Sequence, residues 1–246
     1  MGLEWSVETL RVSLFSNEVV KLTPDDWKKI TGKDAPEAEQ KVVGRHTMSG
    51  PFLEGLLNLS VSGSRFDCIL APPPLADSVP EAYFPNVGHW PEMYKEFVTA
   101  TEGWLASMGP PIVRMAAGAV LLAPQPGLEV AYKCLLEMVR SVEGNPARMR
   151  DLVFRVNWPV SSTSVDGLTI NRLTTWMVIQ AQYNFVLGTA ANVAVQETPV
   201  FYFVRLEIDH STDAQRTQPF DPIQLVAIYK ELANLALENA EKGEVR

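Results

Sequence analysis

An α+β fold with a large, mostly antiparallel sheet covered by helices is what this sequence predicts, on three observations. Apolar and polar residues alternate in several short segments, the pattern of half-buried strands. Other segments carry apolar residues at helical spacing and are bounded by capping residues. Strands and helices do not alternate one for one, as a doubly wound parallel sheet requires; they come as hairpins, a strand-helix-strand crossover and then long hairpin-like strands.

The first strand is Thr9 to Ser16, where Leu10, Val12 and Leu14 alternate with Arg11 and Ser13, and Val19 to Leu22 continues it or pairs with it. Thr23-Pro24-Asp25-Asp26 supplies an N-cap, a proline at the first helical position and two early acids, so a short helix should run to Gly32. Val42 to Met48 reads as a strand. Leu56 to Leu70 reads as a hairpin turning at Ser62-Gly63-Ser64. The prolines from Pro72 to Pro91 predict a long irregular crossing loop. The chain is therefore one domain over 1–246, with room for two packed halves, 1–75 and 90–246, joined by that loop.

Pro91 to Met108 should be a helix with Tyr94, Phe97, Thr101, Trp104 and Leu105 on one face, stopped by Gly109-Pro110-Pro111. Ile112 to Leu122 reads as a mostly buried strand. A helix with Leu128, Tyr132, Leu135, Val139 and Val142 on one face follows and ends at Gly144-Asn145-Pro146. Three more strands are expected near Leu152 to Trp158, over Thr174 to Val186, and over Val200 to Asp209. Asp221-Pro222-Ile223-Gln224 then signals the start of a closing helix to about Glu241.

The composition, 46% hydrophobic and 20% charged over 246 residues, suits a globular domain with a sizeable core. Acids outnumber bases, 29 to 21, for a formal charge of -8, and no run of basic residues occurs. Non-specific binding to phosphate backbones is therefore disfavoured. Cys68 and Cys134, each isolated among apolar residues, read as small core residues in a reducing compartment. No signal-peptide pattern or run long enough to span a membrane is visible, so the expectation is a cytoplasmic protein without a membrane partner. The loose myristoylation pattern at Met1-Gly2 and the glycosylation pattern at Asn58-Leu59-Ser60 are read as chance.

The early strand Leu10 to Phe15, the helix bearing Trp104, the strand Val113 to Leu122, and the strand ending Leu206-Glu207-Ile208-Asp209 follow one another in a distinctive order. A polar loop and the closing helix at Asp221 complete it. This layout resembles a sporadically distributed bacterial family of uncharacterised proteins of about this length, with a Leu-x-Ile-Asp strand before a long closing helix. The resemblance implies a fold and carries no assigned reaction.

Several chemistries lack their motif. Thr31-Gly32-Lys33 sits at a helix end and reads as a C-cap, not a phosphate loop. There is no nucleophile elbow, dinucleotide fingerprint or paired-histidine zinc motif. His46, His89 and His210 are far apart in sequence, so neither a metal nor another cofactor is predicted. The tryptophans fall mostly at core spacing.

The sharpest candidate site is a polar strip. On the last strand Phe201 and Phe203 give way to Arg205, Glu207 and Asp209, so one face turns from apolar to charged. Arg155 and Asn157 do the same on the strand near Leu152, and Gln180, Gln182 and Asn184 on the strand between. If the three strands pair, these groups lie side by side. His210, next to Asp209 at the strand end, is the candidate for acid-base work, although neighbouring strand residues point to opposite faces.

Together these observations predict a non-enzymatic interaction or regulatory protein that binds another macromolecule, another protein or a second copy of itself. Two alternatives stay open. One is a hydrolase-type enzyme using Glu207 or Asp209 with His210. The other is a subunit of a nucleic-acid-processing or defence complex, which requires a basic groove hidden in the fold.

Overall fold

The alternation of Leu10, Val12 and Leu14 with Arg11 and Ser13 becomes a strand in the middle of a wide sheet, β1 (Ser6–Ser16). The computed structural model describes residues 3–74, 84–182, 184–189, 192–197 and 200–245, with backbone alone for 184–189 and 192–197. Met1-Gly2 and the centre of the Pro-rich stretch lie outside the described residues.

After β1 come α1 (Pro24–Thr31), β2 (Ala38–Val42), β3 (Arg45–Phe52), β4 (Gly55–Ser62) and β5 (Arg65–Ala71). Then follow α2 (Glu92–Ala106), β6 (Ile112–Gln125), α3 (Leu128–Met138), β7 (Val153–Asn157), β8 (Val160–Ser161) and β9 (Thr169–Ala181). A separate hairpin of β10 (Asn184–Thr189) and β11 (Asn192–Glu197) leads to β12 (Phe201–Thr212) and α4 (Pro222–Lys242). The main sheet has ten strands in the order β2-β3-β4-β5-β1-β6-β12-β9-β7, with β8 beside β9. Every described pairing is antiparallel, and helices cover the sheet, as an α+β chain should. Because β5 and β6 both run against β1, they run parallel to each other, and α2 makes the crossover between them. Strands from both sides of the Pro-rich stretch thus share one sheet.

Boundaries moved where a turn or a partner strand outweighed local pattern. The segment expected to run from Val42 to Met48 breaks at Gly44, whose φ of 76° suits a residue without a side chain, and it becomes two strands. Val19 to Leu22 is not a strand; it is a loop held by Val20 N–H donating to the Gly63 carbonyl at 3.1 Å. The strand expected over Thr174 to Val186 begins at Thr169 and stops at Ala181, because β12 supplies partners from Ile170 to Ala181 only. The helix expected to reach Val142 ends at Met138, and the Met138 carbonyl accepts from Glu244 N–H at 2.8 Å.

The core lies between one face of this sheet and the helices. Leu10, Val12, Leu14, Met115, Leu121, Leu206 and Ile208 supply the sheet side. Trp27 of α1, Phe97 and Trp104 of α2, Leu135 of α3, and Leu225, Ile228, Tyr229 and Leu232 of α4 supply the other. Each such large side chain contributes about 1.5–3 kcal/mol on burial. Two capping arrangements seat the helices. Asp26 accepts from Thr23 N–H at 2.8 Å through Oδ2 and from Trp104 Nε1 at 2.9 Å through Oδ1, tying α1 to α2. Asp221 and Gln224 bond reciprocally, 2.8 and 3.2 Å, at the start of α4. Midway along α4, Glu231 accepts from Ser162, Thr163 and Ser164 at 2.6–3.2 Å, which pins the loop after β8 and holds this carboxylate below its usual range despite partial burial.

Candidate functional site

Alternation along each strand sends one set of residues to the helices and the other to the opposite face, on which no described helix lies and which is uncovered except at its Leu122 and Phe203 end, where Phe84 packs against Phe203. The strand register places Arg11, Gly118, Asp209, Leu173 and Asn157 in one row across that uncovered face. The next row holds Thr9, Val120, Glu207, Thr175 and Arg155. The strands β7, β9 and β12 are therefore adjacent as expected, and Arg155, Asn157, Arg205, Glu207 and Asp209 open to the same side, but the β9 residues between them are Leu173, Thr175 and Met177, not the expected glutamines.

Ion pairs link the strip across strands. Arg11 Nη2 meets Asp209 Oδ1 at 2.9 Å, crossing over Gly118. A Cβ at Gly118 would lie 3.0 Å from the Ile208 carbonyl and 3.4 Å from Arg11 Nη2, so the bare backbone there makes room for the bridge. Arg205 contacts Glu207 at 2.7 Å and Glu8 at 3.2 Å. Further along, Asp67 accepts from Ser13 at 2.5 Å and pairs with Arg65 at 2.8 Å, and the guanidinium groups of Arg65 and Arg114 both stand over the Phe15 ring, at 5.4 and 4.8 Å. Half-exposed Ile69, Val120, Leu173 and Met177 lie between these groups. A shallow cavity of about 200 Å³ sits at the Arg11, Glu207 and Asp209 end of the row.

Three predicted strip residues leave it. His210 is an even-numbered neighbour of Asp209, so it turns to the helix side, where it is fully buried opposite Arg172. Burial pushes its imidazole down to about 4, Arg172 pushes the same way, and the nearby Leu232 carbonyl and Asn239 side chain oppose this without well-aligned hydrogen bonds. A hydrolytic group of His210 with Glu207 or Asp209 has no geometric support, since the sheet separates them. Gln180 pairs with Tyr202 on the helix side of the sheet end, and Gln182 lies beyond β9, both exposed. Asn184 belongs to β10, and its side chain lies outside the described residues.

The residues that sequence reasoning missed are Glu8, Arg11, Arg65, Asp67, Arg114 and Gly118, half of the face. The alternation in Leu10 to Leu14 marked Arg11 as facing away from the core, but nothing local showed that β1 would lie beside β6. Cys68 is a fully buried core residue, which pushes its thiol up, and Cys134 is half-buried and donates to Gln125 at 3.3 Å. Among the described residues no group of three metal-ligating side chains converges, and no helix is long and apolar enough to cross a membrane. No known family model, curated protein or solved structure matches this chain.

Proposed function

We propose that this protein is an interaction module that binds another protein through the uncovered face of its sheet. The observation carrying this reading is the way the chain distributes its cations. Arg11, Arg45, Arg65, Arg114, Arg155 and Arg205 fall on the uncovered face, while all nine lysines fall elsewhere: on the helices, in loops, or at Lys41 on the other side of β2. Protein interfaces are enriched in arginine and depleted in lysine, because a guanidinium is weakly hydrated and its planar fork pairs with carboxylates. Apolar Ile69, Val120, Leu173 and Met177 between the charged groups give the mixed composition such interfaces have.

A nucleic-acid reading has less support. Arg11, Arg65 and Arg205 are already paired with Asp209, Asp67, Glu207 and Glu8, so few cations remain to release counterions from phosphates. The test compares wild type with Arg114→Glu and Arg155→Glu in affinity capture from the native host, with bound proteins identified by mass. The expected result is a defined protein partner lost in both variants at unchanged melting temperature. Retention of every partner by both variants would rule out this face as the binding surface.

A further inference from the structure

The uncovered face is neutralised largely by its own ion pairs, whereas one cation on the helix side is not. Arg172 of β9 lies directly opposite His210 of β12 and keeps 4% of its surface exposed. Its Nε and Nη2, adjacent donors along one edge of the guanidinium, have no hydrogen-bond partner. These two N–H groups form the fork that grips a carboxylate through two parallel bonds. The acid acting on Arg172 is Glu238 of α4, but its carboxylate is engaged with Lys242 at 3.0 Å. Around the same place, both ring nitrogens of His210 and Oδ1 of Asn239, 0% and 2% exposed, also lack an aligned partner.

A guanidinium cannot shed its proton to escape burial, and an isolated buried charge costs several kcal/mol. The surroundings do not supply a counter-charge in contact: the neighbours on β12 and α4 are a neutral imidazole and an amide. Neither brings a negative charge to the Nε and Nη2 edge of Arg172, the group that pairs most strongly with a carboxylate. We propose that the Nε and Nη2 edge of Arg172, beside His210, is the fork of an internal carboxylate site between the sheet and α4. Two sources can supply that carboxylate: a small monocarboxylate from solution, or Glu238 released from Lys242.

Sodium acetate serves as the probe, titrated into the full chain at pH 7.5 and constant ionic strength against sodium chloride. With a solution carboxylate in the site, wild type shows a saturable rise in melting temperature, about 3 °C at ten times the dissociation constant. Arg172→Lys keeps the charge, loses the fork and loses that rise. With Glu238 as the occupant, wild type is unresponsive and Glu238→Gln gains the acetate-dependent rise. Should Arg172→Lys fail to fold, the ¹⁵N-resolved Nε–H signal of Arg172 in wild type and in Glu238→Gln reads the same contact directly, moving downfield as the fork is filled. If acetate and chloride act alike on wild type and on Glu238→Gln, and the Nε–H signal does not move in either, the site is hydrated polar packing and the proposal is overturned.

Discussion

The covered and uncovered faces of the sheet share one backbone ladder and differ in which alternate residues they receive. On β6 the difference is clearest. Met115, Ala117, Ala119, Leu121 and Ala123 face the helices, and the three alanines let α4 approach the sheet closely. Arg114, Ala116, Gly118, Val120 and Leu122 face the other way, and there the small residues make room for the Arg11 to Asp209 bridge. Small side chains serve both faces, one for apolar packing and the other for a charge pair laid across a strand. Stability should accordingly depend on the covered face far more than on the uncovered one.

The largest effect that tests this contrast is removal of α4. Truncation before Pro219 strips Leu225, Ile228, Tyr229, Leu232 and Ala236 from the sheet, and the expected outcome is an insoluble chain, read by sedimentation of the expressed protein. A soluble truncated protein that melts cooperatively would show that α4 is a docked arm and that the covered face is self-sufficient.

A smaller effect comes from the buried histidine. Burial lowers His210 to about 4 from an ordinary value near 6.5, so the unfolded chain binds the proton first as pH falls. The stability it confers is complete above about pH 6.5 and is lost as pH drops toward 4, a loss on the order of 3 kcal/mol. Urea melts across that window should show a flatter pH dependence for His210→Gln than for wild type. Equal slopes would mean that the imidazole is hydrated in the native state.

The smallest effects belong to the uncovered face. Gly118→Val should cost about 1–3 kcal/mol, because its side chain meets the Ile208 carbonyl and displaces Arg11. Asp209→Asn breaks a pair in which both side chains are a third or more exposed, at 34% and 46%, and should cost less than about 1 kcal/mol. Denaturant midpoints for both variants check the ranking. A larger loss for Asp209→Asn would mean that the ion-pair row is part of the stabilising framework.

Much of this architecture was legible because it is written in local signals. The capping box at Asp221, the stop at Gly32 and the hairpin turn at Gly63 each depend on residues a few positions apart, and each appears where expected. Alternation told the two faces of β12 apart, which placed Arg205, Glu207 and Asp209 together and predicted that His210 would diverge from them. Val42 to Met48 failed because a two-residue turn at Val43-Gly44 was hidden in an apolar-looking run, and Thr174 to Val186 failed because its end depends on a distant partner strand.

By itself, the sequence determined the fold class and the sides to which the residues of β1 and β12 turn, since these follow from backbone geometry over a few residues. Only the tertiary structure decided that β1 lies between β5 and β6, which brings Arg11 to Asp209 across 198 residues of chain. It alone decided that Arg172 lies opposite His210 under α4. Strand order and register come from pairing energies summed along whole strands, and no short window of sequence contains them.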